Sequence, residues 1–136
     1  MIRSGKYENA SDSYNTPKWI LDMFPEAFDP CPYDEDWDES KFDGLRDEWT
    51  GQLIFVNPPY SNVMPWVDKA LEHRFKCNMM GEKCTIVMLL KHDSSTRWYA
   101  KLHGAGAQFM MIQGRLKFTN KKSNNHASFP SVLVIL

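Results

Sequence analysis

Leu53-Ile54-Phe55-Val56 runs directly into Asn57-Pro58-Pro59-Tyr60, and the rest of the chain is read outward from that junction. A short apolar run bounded by a proline pair is the pattern of a strand covered on both faces and then stopped by a rigid turn. Neither proline has an N–H, so the turn presents carbonyls rather than donors, and Tyr60 adds a flat face against which a ring can stack. Such a turn suits an exocyclic NH2 group like that of adenine, whose lone pair is drawn into the ring and is a poor nucleophile. Acceptors on its hydrogens, here the Asn57 side chain and the Pro58 carbonyl, let the nitrogen pyramidalise. Pro-Pro-Tyr also occurs in ordinary loops, so position matters: α/β sheets bind ligands at the carboxyl ends of their strands. Asn57, Pro58 and Tyr60 are the candidate catalytic residues.

Downstream, Pro65 suits a first helical turn, and Met64, Val67, Leu71 and Phe75 recur at helical spacing to about Lys76. Thr85 to Leu90 is a continuous apolar run, a second doubly buried strand. Ser94 or Ser95 is placed to cap a short helix through Leu102, with Gly104 to end it. Gln108 to Ile112, Arg115 to Thr119 and Ser131 to Leu136 read as strands, the last two as an antiparallel hairpin across a polar loop. Upstream, Asn15 or Thr16 with Pro17 opens a helix whose stripe is Trp19, Ile20, Met23 and Phe24, stopped by Pro25. Ala27-Phe28-Asp29 is a short strand candidate, the acidic stretch after it through Ser40 has no periodicity and reads as a loop, and irregular chain from Asp34 to Thr50 can take the place of a strand-helix unit. Helices alternating with short apolar strands predict an α/β three-layer fold with a mostly parallel sheet and a C-terminal antiparallel hairpin.

The chain has 136 residues, 43% of them hydrophobic, enough for one core and too few for a second domain. A single domain over 1–136 is expected. No stretch approaches the roughly 20 apolar residues of a membrane span, and the first residues lack the apolar core of a signal peptide, so a cytoplasmic location is expected. Cys31, Cys77 and Cys84 are odd in number with no close-spaced pair, which argues against a disulfide framework or a zinc site; no metal is expected. A net charge of −1 offers no global attraction to nucleic acid. Any phosphate contact must be local, and Arg115 to Lys122 is the basic segment.

The ordered residues resemble those of the phage-type DNA N6-adenine methyltransferases, and the resemblance covers nearly the whole chain. It is carried by Asn15-Thr16-Pro17 with Trp19, Phe28-Asp29-Pro30-Cys31, Asp43-Gly44-Leu45 with Trp49, and Asn57-Pro58-Pro59-Tyr60-Ser61 with Trp66. Thr96-Arg97-Trp98, Gly114-Arg115 with Phe118, and Pro130-Ser131 complete it. It implies a compact Rossmann-like methyltransferase fold, S-adenosylmethionine as methyl donor, and DNA as partner, with the target adenine rotated out of the stack. It further implies cofactor contacts from Thr16, Pro17, Asp29, Cys31, Asp43 and Asn57. Lys117, Lys121, Lys122 and Asn124 then form the DNA-contacting loop, a reader short enough that a homodimer is worth testing for.

Each assignment has a plainer counterpart. Thr16 suits a helix cap, Asp29 and Asp43 suit turns. Core packing is the favoured reading of Trp19, Trp66 and Trp98. Arg97 and Arg115 fit a solvated surface as well as a phosphate contact. His92 has no part in this chemistry. Where methyltransferases carry a Gly-x-Gly turn, this chain has Pro30-Cys31-Pro32. That departure motivates a rival reading as a non-catalytic module binding DNA or a protein. A third reading keeps the fold and changes the acceptor to cytosine N4, RNA adenine or a glutamine amide.

Overall fold

A computed structural model describes residues 15–32, 38, 40–117 and 129–136. Seven elements follow in order: α1 (Lys18–Leu21), β1 (Leu53–Val56), α2 (Met64–Met80), β2 (Thr85–Lys91), α3 (Arg97–Gly104), β3 (Gln108–Met111) and β4 (Ser131–Ile135). They build a mixed α/β fold around one sheet of order β1-β2-β4-β3. β1 and β2 are parallel, with Leu53 beside Thr85 and Val56 beside Met88. β4 runs against both of its neighbours, placing Leu133 beside Leu89 on one side and Met110 on the other.

The mostly parallel sheet is therefore corrected: two of the three ladders are antiparallel. β1, β2 and β3 do share one direction, but the reversed β4 lies between β2 and β3 and makes each of its pairings antiparallel. The expected hairpin partner, Arg115 to Thr119, forms no named strand as far as Lys117, and its last two residues lie outside the described set. β4 pairs instead with β2 and β3.

Side chains alternate across the sheet as a period of two requires. Ile54, Val56, Ile86, Met88, Leu90, Val132 and Val134 pack with Trp66, Val67 and Ala70 of α2 and Leu102 of α3. Phe55, Val87, Leu89 and Leu133 pack on the opposite face with Ile20 of α1 and Leu116. Both faces are covered, which explains why the β2 run is apolar without interruption. The expected helix after Thr85's strand is capped by Thr96 rather than Ser94 or Ser95: Thr96 is extended and its Oγ1 accepts the Tyr99 N–H at 3.3 Å. Ser95 turns its hydroxyl onto Asp93 instead.

Two expected elements shrink. α1 keeps a single turn before i→i+3 bonds from Met23 to Ile20 and Phe24 to Leu21 tighten the chain toward Pro25. Trp19, expected in the core, is 53% exposed, whereas Trp66 is buried and Trp98 packs at the core's edge. The strand at Phe28 reduces to one parallel bridge to Ile54, held by Phe28 N–H to Leu53 O and Phe55 N–H to Phe28 O, both at 2.9 Å. α2 runs four residues past the expected Lys76, to Met80, and ends at Gly81, whose φ of 68° is the left-handed cap that glycine adopts freely. Phe75, placed on the inward stripe from sequence, is exposed; Trp66, Val67, Ala70 and Cys77 form that stripe.

Candidate active site

The bridge at Phe28 sets two chain exits side by side. Asp29 follows Phe28, Asn57 follows Val56, and both leave the carboxyl ends of adjacent parallel segments. Pro58 and Pro59 are buried, and Asn62 N–H donates to Pro59 O at 3.1 Å, closing the turn just before α2 begins with Pro65 in its first turn. The turn is thus clamped between strand and helix.

Asn57 Nδ2 donates to Thr16 Oγ1 at 2.9 Å, a bond across 41 residues that ties the N-terminal segment to the strand tip. Thr16 makes no side-chain cap bond to α1, so the helix-cap reading gives way to this contact. With Nδ2 committed to Thr16, Oδ1 is the acceptor presented on the other side, where the Tyr60 hydroxyl donates at 3.5 Å, the long limit of such a bond. Tyr60 meets Phe129 edge to face, centroids 4.9 Å apart at 77°. Lys91 at the end of β2 holds its Nζ 5.7 Å from the Phe129 centroid and 3.7 Å from Asp93. Phe129 was not singled out in sequence: a lone aromatic before Pro130 carries no periodic signal, and only the fold brings it to Tyr60. His92 stacks on Tyr99 at 6.0 Å, and its backbone N–H goes to Pro130 O.

The expected cofactor residues fall into two touching groups. Thr16, Pro17 and Asn57 form the first. In the second, Asp29 Oδ1 accepts the Cys31 N–H at 2.9 Å, and buried Asp43 accepts the Leu45 N–H at 2.9 Å. Both are Asx turns, so the turn reading of these aspartates holds for one oxygen of each. The Cys31 side chain is a core residue. Gly44 joins the two turns: a Cβ there would lie 2.1 Å from Pro30 O and 2.8 Å from two Trp66 ring carbons. Its own carbonyl accepts Trp49 Nε1 at 2.7 Å. Lys117 is exposed, while Lys121, Lys122 and Asn124 lie outside the described residues. Arg97 and Arg115 are exposed.

Asp47 supports the Asp43 turn by accepting the Asp43 N–H at 2.8 Å. The Arg46 guanidinium bonded to it, followed by that N–H, holds its carboxyl down at about 2 against an ordinary 3.8. A depressed folded value means the ionised form contributes stability above the ordinary value, and the contribution is lost as pH falls toward the folded one. We expect melting temperature to fall with acidification between pH 3.8 and about 2, and Asp47→Asn to flatten that limb; an identical limb in the variant would remove Asp47 from this role.

The fold and site together define a mixed α/β protein that offers an oriented amide and a tyrosine ring from a proline-locked turn at a strand tip. Residues 3–136 match the DNA N-6-adenine-methyltransferase (Dam) family, and the chain belongs to that family. A DNA N-6-adenine-methyltransferase of Haemophilus phage HP1 (strain HP1c1) is 26% identical over 150 residues, covering 99% of this chain and 84% of that protein. The chain is accordingly a DNA adenine-N6 methyltransferase. Among the described residues no helix is long and apolar enough to cross a membrane.

Proposed function

We propose that the chain methylates adenine N6 in DNA with S-adenosylmethionine as donor, and that the base is rotated out of the duplex into the turn at Asn57. The observation that carries this is the 2.9 Å bond from Asn57 Nδ2 to Thr16, which turns Oδ1 to the side where the Tyr60 hydroxyl donates at 3.5 Å, a long bond that an incoming NH2 can replace. Asn57 Oδ1 and the Pro58 carbonyl accept the two amine hydrogens, and Tyr60 stacks on the base with its ring braced by Phe129. The reversed strand inside an otherwise unidirectional sheet is compatible with a Rossmann-like methyltransferase fold.

The residues present fit the donor chemically. Asp29 supplies a carboxylate for an ammonium, Thr16 a hydroxyl for a carboxylate, and Asp43 an acceptor for the adenosyl end, brought close by the Gly44 contact with Pro30. When bound, S-adenosylmethionine supplies a methyl group on a positively charged sulfur, already activated for in-line attack. The protein's part is then positioning and exclusion of water. The Tyr60 ring is suited to face that positive charge.

DNA is gripped in this reading by the loop holding Lys117, Lys121, Lys122 and Asn124, with a homodimer extending a short reader. A phage-encoded enzyme would work in the host bacterial cytoplasm. Replacing the three lysines together by Ala is expected to weaken binding at all sequences alike. The slope of log affinity against log salt should become shallower by about 2 to 3, near 0.9 per lost phosphate contact; an unchanged slope would place the DNA elsewhere.

The whole reading is tested by incubating the protein with labelled S-adenosylmethionine and unmethylated duplex DNA, then identifying nucleosides by mass spectrometry. N6-methyladenine is expected. Methylated cytosine, or label entering RNA or protein in its place, would assign a different planar amine.

A further inference from the structure

The sheet has a second end. Around the amino ends of β1 and β2, opposite Asn57, a cavity of about 310 Å³ is lined by Glu48, Trp49, His73, Lys76, Cys77 and Glu82, among others. His73 and Cys77 stand one turn apart on α2, on the same face, with Cys77 Sγ 3.5 Å from His73 Nε2. The helix then stops at Gly81, where Glu82 N–H returns to Cys77 O at 2.9 Å and Gly81 N–H to Asn78 O at 3.3 Å. This left-handed cap turns the chain back on itself, and Cys84 arrives beside the pair it has just left. One ligand atom from each of His73, Cys77 and Cys84 lies within 4.8 Å of the other two.

We propose that His73, Cys77 and Cys84 bind one zinc ion, fastening the end of α2 to the start of β2. A tetrahedral zinc with ordinary bond lengths separates its nitrogen and sulfur ligands by about 3.6 Å and its two sulfurs by about 3.8 Å. The His73–Cys77 separation is already present at 3.5 Å, and with all three ligand atoms within 4.8 Å of one another the His73–Cys84 and Cys77–Cys84 separations need closures of no more than about 1.2 and 1 Å. Thiol hydrogen bonds, from Cys77 to His73 and between Cys77 and Cys84, hold the same three side chains together without an ion, and metal titration separates the two readings. The cavity beside His73 and Cys77 leaves the fourth position to water or to the Glu82 carboxylate.

Charge balances. Burial, with the Cys77 contact next, pushes the Cys84 thiol up to about 11, so zinc must displace its proton, as it does in thiolate sites generally. Two thiolates, a neutral imidazole and the dication sum to zero, with two protons released to solvent. Arg74, whose Nη1 is bonded to the Cys84 carbonyl, holds a positive charge near the thiolates. The expectation of no metal site rested on cysteine spacing in the chain, and the titration decides between that expectation and this proposal. The proposal is independent of the methyl-transfer reading, because the cluster lies at the other end of the sheet from Asn57.

The full chain, purified under a metal-free reductant, is titrated with cobalt(II) and then with zinc(II). One equivalent of cobalt should give thiolate-to-metal charge-transfer absorption with the visible bands of a tetrahedral site, and one equivalent of zinc should remove both. Cys77→Ser and Cys84→Ser should each weaken zinc binding by more than about 100-fold, beyond the 10- to 100-fold typical of losing a residue behind a ligand. His103→Gln, on α3 and outside the cluster, should leave the titration unchanged. No thiolate absorption in the wild-type chain overturns the proposal whatever the variants do. So does full-strength absorption in both serine variants, which circular dichroism can show to be folded.

Discussion

Asn57→Ala is expected to lower kcat/KM for DNA methylation by about 10³-fold, the scale seen when one positioned hydrogen-bonding group at a reacting centre is removed. The loss should appear in kcat, since the acceptor is most needed as the amine nitrogen pyramidalises. Cofactor affinity measured by calorimetry should change far less, because Thr16, Asp29 and Asp43 remain. Asn57→Asp separates the two ends of the amide. It keeps an acceptor but loses the Nδ2 donor that Thr16 Oγ1 receives at 2.9 Å, so partial activity is expected. Thr16→Val should also slow methyl transfer, with Thr16→Ser recovering most of it, as fits a residue that orients another. Undiminished turnover by Asn57→Ala would leave the strand-tip turn without a catalytic part.

The parts of this structure legible in the sequence are those decided by neighbours in the chain. β1 was found at its observed bounds and β2 to within one residue, because an uninterrupted apolar run can only be doubly buried. α2 was found because Pro65 and the apolar spacing are local. What failed was decided elsewhere. The last strand was expected to run antiparallel and does, but its neighbours are β2 and β3 rather than a strand at Arg115 to Thr119, and no pattern inside Ser131–Ile135 names those neighbours. The Phe28 strand shrinks to one bridge because Pro30 and Pro32 supply no N–H to continue the ladder. At the site, Asn57, Pro58 and Tyr60 were read from chemistry, and Thr16 from resemblance; their contact over 41 residues was not readable. Phe129 and the His73, Cys77 and Cys84 cluster were missed for the same reason. His73 and Cys77 at helical spacing were a usable signal, yet only the turn at Gly81 brings Cys84 to them.

Gly44→Ala is expected to be the most damaging small substitution in the described chain. The added carbon would sit 2.1 Å from Pro30 O and 2.8 Å from Trp66 ring carbons, and the obstacles are a backbone carbonyl and a buried indole. Neither can rotate aside as a flexible side chain would. Overpacking of this kind costs about 3 kcal/mol, which for a chain of this size lowers the melting temperature by about 10 °C. Gly104→Ala is the matched control. That glycine is helical with nothing within 4 Å of the new carbon, so the same change should stabilise by about 0.5 to 1 kcal/mol through helix propensity. Gly44 has a second consequence that stability alone does not measure. Relief of the clash must part the Asp29-Pro30-Cys31 turn from the Asp43-Gly44-Leu45 turn, the two groups assigned to the donor. Affinity for S-adenosylmethionine, titrated at a temperature where the variant is still folded, should therefore fall by more than the same titration shows for Gly104→Ala. A Gly44→Ala protein that melts with the wild type would mean these turns do not touch, and one that melts early but binds the donor normally would remove Asp29 and Asp43 from the cofactor site.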